Sequence, residues 1–228
     1  MNEHSLSVQR MFSDIAAFYI RLNTIMTFGL DRVYRRESVC LLKPAGGCIY
    51  LDDGAGTGDF SIEILQQSPQ AQVVALDFTK AMIDVGCSRE NTSQILWVVG
   101  DSLNLPFKDQ TFHGAVSGFL MRNVTSVDDA LKEQARALKP GGVSVILDTS
   151  PPLNNFLRPF ILVYYRLFIP LMGFIFAGNI SAYRYLPRST EHFLNPAQLK
   201  DKMEHAGFKS VHWFYRLFGN LAIHSAQK

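Results

Sequence analysis

A glycine-rich segment between a predicted strand and a predicted helix is the first place in the sequence that indicates chemistry. It reads Leu51-Asp52-Asp53-Gly54-Ala55-Gly56-Thr57-Gly58-Asp59. Glycines let the backbone turn tightly and approach a ligand with no Cβ in the way. The Gly-Lys-Ser/Thr of a phosphate-binding loop is absent, and Asp59 stands where a dinucleotide fingerprint requires glycine. Three carboxylates around a helix N-terminus would repel a pyrophosphate, so the segment predicts a nucleoside ligand with a positive group and no phosphate.

S-adenosylmethionine has those properties, because it joins an adenosine to a sulfonium cation and an amino-acid tail. We expect Asp52 to meet the ammonium, directly or through water, and loop N–H groups with Thr57 to receive the carboxylate. Asp77 ends the second strand, where it would accept both ribose hydroxyls, and Asp101 ends the third, near the adenine amino group. Helix capping explains any one of these carboxylates, but three at successive strand ends are hard to explain that way. The predicted cofactor-binding residues are Asp52, Gly54, Gly56, Thr57, Gly58, Asp77, Phe78, Asp101, Ser102 and Gly118.

The elements that must position these residues alternate along residues 48 to 148, where short apolar runs are followed by helical patterns. Strands alternating with helices imply right-handed crossovers and helices on both sheet faces. We predict an α/β fold with a doubly wound, mostly parallel, seven-stranded Rossmann-like sheet and an antiparallel C-terminal hairpin. One domain is expected, with a helical cap (1–45), a cofactor-binding core (46–150), an apolar helical insertion (151–190), and a C-terminal helix and hairpin (191–228).

Composition excludes other classes of protein. The 228 residues are 47% hydrophobic and 18% charged with a net charge of +2, which argues against a disordered chain and a nucleic-acid partner. Three cysteines without a C-x-x-C pair indicate a reducing, cytoplasmic compartment. The six scattered histidines predict no metal site.

The apolar surplus is concentrated around residues 156–177. Arg158, Arg166, Pro159 and Pro170 lie in this stretch, so we do not expect it to span a membrane. Two interpretations stay open. The stretch is either a buried helical insertion, or residues 153–178 form a lid that lies beside the acceptor site and faces lipid. The second predicts a peripheral location at the inner face of a membrane.

Several motifs narrow the chemistry further. The segments Arg122-Asn123-Val124, Leu138-Lys139-Pro140-Gly141-Gly142, Tyr183-Arg184-Tyr185-Leu186 and Ala222-Ile223-His224 accompany the glycine loop. With them the chain resembles class I methyltransferases, and more narrowly the ubiquinone/menaquinone biosynthesis C-methyltransferase family. It departs from the usual family residues at Ser13, Ile20, Asp53, His113 and Gly118.

The resemblance implies transfer of a methyl group to a ring carbon of a polyprenyl quinol, either demethylmenaquinol or the equivalent benzoquinol. Such a carbon becomes nucleophilic when a neighbouring hydroxyl loses its proton, so the site needs an anion stabiliser. Arg122, Asn123 and Tyr19 are the expected catalytic residues, and Tyr183 and His224 the expected acceptor-pocket residues. The alternatives are an ion pair of Arg122 with Asp128 or Asp129, packing for Tyr19, and a core hydrogen bond for His224.

Two other functions stay open: O- or N-methylation of another apolar or aromatic molecule, and a non-catalytic scaffold that binds cofactor or lipid. The expected partners are a lipophilic quinol and no nucleic acid, with membrane-surface contact and a homo-oligomer left as open alternatives. An oxidoreductase that uses a dinucleotide is disfavoured by the three carboxylates of the loop.

Overall fold

A seven-stranded sheet organises the molecule in the computed structural model, which describes residues 3–177 and 180–228. Its strands run in the order β3-β2-β1-β4-β5-β7-β6. The first five pair in parallel, and β7 runs antiparallel to both of its neighbours. The predicted architecture is therefore confirmed, including the hairpin. The strands are β1 (Ile49–Asp53), β2 (Gln72–Asp77), β3 (Ile95–Val99), β4 (Phe112–Gly118), β5 (Leu138–Thr149), β6 (Lys209–Arg216) and β7 (Leu221–Gln227).

Helices flank the sheet, and several of them begin at the caps that their sequences provide. Ser126 accepts a hydrogen bond from the Asp129 N–H at the start of α6, and Asn195 forms a capping box with Gln198 at the start of α10. The helices are α1 (Glu3–Ile15), α2 (Tyr19–Met26), α3 (Leu30–Leu42), α4 (Asp59–Gln67), α5 (Lys80–Cys87), α6 (Val127–Ala137), α7 (Arg158–Val163), α8 (Ile169–Ala177), α9 (Ile180–Glu191) and α10 (Pro196–His205).

Two apolar layers cover the two faces of the sheet. One contains Leu131 of α6 and Leu199 of α10, both almost fully buried. The other contains Val39 of α3 and Ile64 of α4. Burial of helices on both faces is what a doubly wound sheet requires, since its parallel strands have no solvent-facing side.

The start of β5 differs from the sequence prediction. The sequence pattern predicts a helix over Ala130–Leu138 that Pro140-Gly141-Gly142 stops, followed by a strand over Val143–Leu147, whereas β5 already begins at Leu138. The pairing with β4 shifts register between Phe112 and Gly114. A proline and two glycines are tolerated within the strand because this irregular stretch lies at its beginning.

The N-terminal helices and the insertion pack on each other over the carboxyl ends of the strands. Ile15 and Leu22 form a small buried cluster with Tyr165 and Ile169, which belong to α8 and to the wide helical turn before it. This contact places the insertion beside the site, as the sequence predicted.

The opposite side of the insertion is apolar and faces outward. Large side chains recur at helical spacing and are each more than half exposed: Phe156, Phe160, Val163, Leu167, Leu171 and Phe174, which we call the outer stripe. The stretch Arg158–Ile175 has the length and composition of a membrane-crossing helix, although those two properties alone are weak evidence for a span.

Candidate active site

A cleft of about 760 Å³, partly open to solvent, lies at the carboxyl ends of β1 to β4, and we call it the first cavity. Seven of the predicted cofactor residues line it: Gly54, Gly56, Asp77, Phe78, Asp101, Ser102 and Gly118. Residues at or just after the ends of four strands, β1 to β4, therefore meet at one place, as open α/β sheets commonly arrange.

Asp77 is the best-organised carboxylate of the first cavity. Its Oδ2 accepts a 2.7 Å hydrogen bond from the Gly56 N–H, and its Oδ1 accepts one of equal length from the Thr79 N–H. Gly56 has a φ of 56°, and a Cβ there would come within 3.3 Å of Met82. Each carboxylate oxygen retains a second lone pair, so Asp77 can still receive hydroxyl donors.

Asp53 supports the cavity from behind. Its side chain is fully buried and accepts hydrogen bonds from the Ser102 hydroxyl at 2.6 Å and the Gln134 amide at 2.7 Å. Burial raises the pKa of Asp53 to about 6 despite these two donors. Sequence reasoning counted Asp53 among the three loop carboxylates and as a departure from the family pattern, and it missed that Asp53 holds Ser102 against the cavity.

Asp52, Thr57 and Gly58 do not line the first cavity, and their contacts with the cofactor, direct or through water for Asp52, stay predictions. Asp52 Oδ2 accepts two hydrogen bonds from Ser61, at 2.6 Å from the hydroxyl and 2.9 Å from the backbone N–H. Burial raises its pKa to about 7. The Thr57 hydroxyl is turned away and donates to Asp59 at 3.2 Å. These residues shape the loop, and at Gly58 a Cβ would come within 2.5 Å of Trp97.

The N-terminal segment closes the first cavity from above. Phe12 of α1 and Tyr19 of α2 line it. The Gln9 amide donates a 2.9 Å hydrogen bond to the Phe78 carbonyl and so joins α1 to the loop after β2. The sequence had indicated only Tyr19 as a residue that closes over the site.

A second cavity adjoins the first and is lined largely by aromatic and aliphatic side chains. Tyr164, Tyr165 and Ile169 of the insertion form one side of it. Tyr19 and Phe119 line both cavities and therefore stand at their boundary. An apolar chamber that opens beside a cofactor cleft fits a ring with a lipophilic tail.

Arg122 provides the cation of the second cavity. Its Nη1 donates to Asp148 Oδ1 at 2.7 Å, its backbone N–H approaches Asp148 Oδ2 at 3.2 Å, and its guanidinium lies over the Phe119 ring. The Nε of Arg122 is buried without a hydrogen-bond partner in the described part of the chain. A fixed guanidinium with a free N–H can stabilise an anion that develops nearby.

The alternative pairing of Arg122 with Asp128 or Asp129 was wrong. Asp128 binds Lys202 at 2.7 Å, and Asp129 lies 4.0 Å from Lys132. Asp148, near the end of β5, is the partner instead. The motif Arg-Asn-Val does not indicate this partner, because Asp148 lies 26 residues further along the chain.

Asn123 and Tyr19 lie close to Arg122. The Asn123 amide donates to the Phe119 carbonyl at 2.7 Å and accepts from the Tyr185 hydroxyl at 3.0 Å, so its orientation is fixed. Burial raises the pKa of the Tyr19 phenol above its usual range, which keeps this hydroxyl protonated.

Of the two predicted acceptor-pocket residues, the structure describes the side chain of His224 alone, and it does not line the second cavity. His224 is buried in β7, and its Nε2 lies 3.0 Å from the Pro196 carbonyl, so the core interpretation is correct for it. Its place in the acceptor pocket was wrong. The side chain of Tyr183 lies outside the described residues. Among those that are described, no group of three or more His, Cys, Asp or Glu could hold a metal ion.

Comparisons with known proteins extend these findings. The model of the ubiE/COQ5 methyltransferase family matches residues 1–228. A ubiquinone/menaquinone biosynthesis C-methyltransferase UbiE from Desulfotalea psychrophila is 39% identical over 95% of this chain and 88% of its own length. A demethylmenaquinone methyltransferase from Roseiflexus castenholzii is also 39% identical, over 97% of this chain and 93% of its own length. The solved structure of an S-adenosylmethionine-dependent methyltransferase from Thermotoga maritima matches with a TM-score of 0.66 and covers 96% of this chain and 99% of its own. The sequence identity is 19%, so this is a likeness of fold alone.

Proposed function

Because this chain belongs to the ubiE/COQ5 methyltransferase family, we propose that it methylates a ring carbon of demethylmenaquinol with S-adenosylmethionine as donor. Its curated relatives carry the names of enzymes for that step or for the related ubiquinone step. The donor class is predicted independently by the loop of three carboxylates without a phosphate-binding motif.

The first cavity fits the cofactor. Asp77, held by the Gly56 and Thr79 N–H groups, would receive the ribose hydroxyls, and Asp101, which already accepts from the Leu103 N–H at 2.9 Å, would face the adenine. The Gly56 N–H is engaged by Asp77, so the amino-acid tail must be held by other groups. When bound, S-adenosylmethionine supplies the methyl group as an electrophile, with the sulfur keeping the electron pair of the broken bond.

The observation that carries the acceptor assignment is the Arg122–Asp148 pair inside an apolar chamber. A quinol carbon attacks only when electron density flows into the ring from a hydroxyl that has lost its proton. The Arg122 guanidinium is positioned by Asp148, and its free Nε stabilises the resulting phenolate in a region of low dielectric constant. The methylated carbon then releases its hydrogen as a proton to water, and the aromatic ring is restored.

The boundary between the cavities sets the geometry of attack. Tyr19 and Phe119 border both, so a ring in the second cavity and a donor in the first would meet between them. Holding the reacting atoms in line removes an entropic cost that free reactants would meet. The cleft is partly open to solvent, so water can take up the proton that the hydroxyl loses before attack and the proton that the methylated carbon loses after it.

The test is methyl transfer itself. Purified protein, labelled S-adenosylmethionine and demethylmenaquinol reduced by dithionite should give menaquinol, with the label on carbon and resistant to ether-cleaving acid. Label lost in acid would point to O-methylation, and cofactor binding without transfer to any quinol would point to a scaffold. Cells that lack the protein should accumulate a quinone one methyl group lighter.

A lipid surface is the proposed source of the acceptor. The outer stripe lies on the insertion that also forms one side of the second cavity. Between Asp148 and Glu191 the sequence has no acidic residue and four arginines, at 158, 166, 184 and 188. An apolar helical face flanked by positive charge suits an anionic membrane surface.

A further inference from the structure

The second cavity contains a buried acceptor group that the proposed chemistry has not used. Asn220 follows the turn between β6 and β7, is only 6% exposed, and lines this cavity together with Arg122. Its side-chain Oδ1 is buried and has no hydrogen-bond partner among the described residues. A buried acceptor without a hydrogen bond destabilises the folded protein, because it has lost its contact with water. A ligand that donates a hydrogen bond to this oxygen recovers that free energy as binding affinity.

The orientation of the Asn220 amide is determined by its surroundings. Its Nδ2 donates a 3.0 Å hydrogen bond to the Leu217 carbonyl, which can only accept. A flipped amide would set two oxygens against each other, so the unpaired atom must be the oxygen. The backbone of Asn220 is also fixed, since its N–H donates to Leu217 and its carbonyl accepts from Ser150.

The turn that carries Asn220 has an unusual backbone. Leu217 and Phe218 have φ values of 46° and 55°, in the left-handed region that non-glycine residues rarely occupy. Gly219 continues the left-handed run at 87°, and a Cβ there would come within 2.4 Å of Leu153. Strained backbone persists where the surrounding structure holds it, and here it presents one side chain to the cavity.

From these contacts we propose that Asn220 recognises the acceptor by accepting a hydrogen bond from a phenolic hydroxyl, and so selects the reduced ring over the oxidised one. A quinol hydroxyl can donate to Oδ1, whereas a quinone carbonyl would bring a second acceptor against it. Arg122 Nε and Asn23 Nδ2 are unpaired donors in the same cavity, and Asn220 Oδ1 is its unpaired acceptor among the described residues. The assignment rests on the proposed quinol methylation and adds its redox selectivity.

The test compares reduced and oxidised ligands in steady-state kinetics. Wild-type protein is assayed with a short-chain 2-prenyl-1,4-naphthohydroquinone, with the matching quinone added as an inhibitor. We expect the quinone to bind at least tenfold more weakly than the quinol. In Asn220→Leu the quinol KM should rise about tenfold while kcat changes less than twofold, and the preference should disappear.

A control in the same turn separates recognition from folding. Phe218 is 73% exposed and lines neither cavity, and asparagine tolerates the left-handed conformation, so Phe218→Asn should leave KM and redox preference unchanged. Melting temperature and cofactor affinity are measured for both variants. An Asn220→Leu protein that folds, binds cofactor and still prefers the quinol would overturn the assignment. Loss of the preference in Phe218→Asn would overturn it equally. A wild type that methylates no quinol would refute the proposed function instead.

Discussion

The two cavities meet at Tyr19 and Phe119, yet they are built from different kinds of sequence. The first consists of strand ends and the loops that follow them, so its carboxylates lie close to the backbone that holds them. The second draws residues from α2, the loop after β4, the insertion and the β6–β7 turn. The cofactor end is therefore encoded locally, whereas the acceptor end depends on how distant segments pack. Substitutions should be able to disable either cavity alone.

The largest effect is expected in the second cavity, from loss of the Arg122 guanidinium. Arg122→Met combined with Asp148→Asn should lower turnover about 1,000-fold, because the phenolate loses its stabilising donor. Both charges are removed together because an unpaired buried charge costs ~3–5 kcal/mol of stability. Turnover is measured with the quinol, and cofactor affinity by calorimetry, which should be unchanged.

Asp148→Asn alone is the matched control for that pair. It keeps the guanidinium and an amide oxygen that can accept from it, so turnover per folded molecule should fall less than tenfold. Because the buried Arg122 charge is then unpaired, its stability should fall by ~3–5 kcal/mol, and unfolding is measured beside turnover. If the double variant were as active as this single variant, Arg122 would have no role in the chemistry. If it lost cofactor binding as well, the two cavities would not be separable.

The next effect concerns the carboxylate behind the first cavity. The pKa of Asp53 is raised to about 6, so the folded protein binds a proton more tightly than the unfolded chain does. Its ionisation therefore lowers stability as pH rises from about 4 to about 6, by an amount on the order of 3 kcal/mol. Asp53→Asn should remove this contribution to the pH dependence of the unfolding free energy, because an amide does not titrate. The fold should be kept, since the amide can donate to Ser102 and accept from Gln134. Urea unfolding across this pH range measures the change.

Asp52→Asn provides the comparison within the same strand. The pKa of Asp52 is raised to about 7, so its ionisation lowers the unfolding free energy up to a higher pH than that of Asp53. Between pH 6 and 7 the unfolding free energy should therefore still fall in Asp53→Asn but not in Asp52→Asn. The negative charges of Asp77 and Asp101 raise the pKa of Asp53 further. Identical pH profiles for wild type and Asp53→Asn would show that this carboxylate does not titrate as described.

How much the sequence could predict follows the same division. Alternating apolar and helical segments predicted the sheet, and the residues at three strand ends were predicted because consecutive strands place them at one edge. The sequence could not show which neighbours the Asp52 and Thr57 side chains bind. In the structure Asp52 accepts from Ser61 with one oxygen and has no partner for the other among the described residues, and the Thr57 hydroxyl donates to Asp59.

The second cavity was harder to predict. Arg122 was identified through a family motif, but its partner Asp148 lies on another strand. Asn220 had no motif, and only the fold shows that its oxygen is buried and unpaired. His224 was placed in the pocket by its motif, although strand alternation in β7 turns it into the core, against Pro196.

A smaller effect is expected for the cofactor site itself. Asp77→Asn should weaken S-adenosylmethionine binding roughly 20-fold, because a charged acceptor contributes ~1.5–3 kcal/mol more than no acceptor and an amide retains part of that. The quinol KM at saturating cofactor should not change. Asp84→Asn, an exposed carboxylate paired with Lys80 on the adjacent helix, is the control and should bind normally. Equal affinities in calorimetry for the two variants would refute the ribose contact.

The smallest effect tests whether the second cavity draws its substrate from lipid. Phe160, 72% exposed on the outer stripe, should insert into an anionic bilayer, and Phe160→Ser should weaken binding to phosphatidylglycerol vesicles about fivefold, or ~1 kcal/mol. Leu96→Ser removes an apolar side chain that is 62% exposed on the edge strand β3, and it should have no effect on vesicle binding. Cofactor affinity should be the same in both, since neither residue lines the first cavity.

Equal vesicle binding by the two variants would contradict the lipid contact. A concentration-dependent dimer that is lost only in Phe160→Ser would assign the outer stripe to a second copy of the chain. Because the insertion forms both the stripe and a wall of the second cavity, a lipid contact there would bring the membrane next to the site where the acceptor binds.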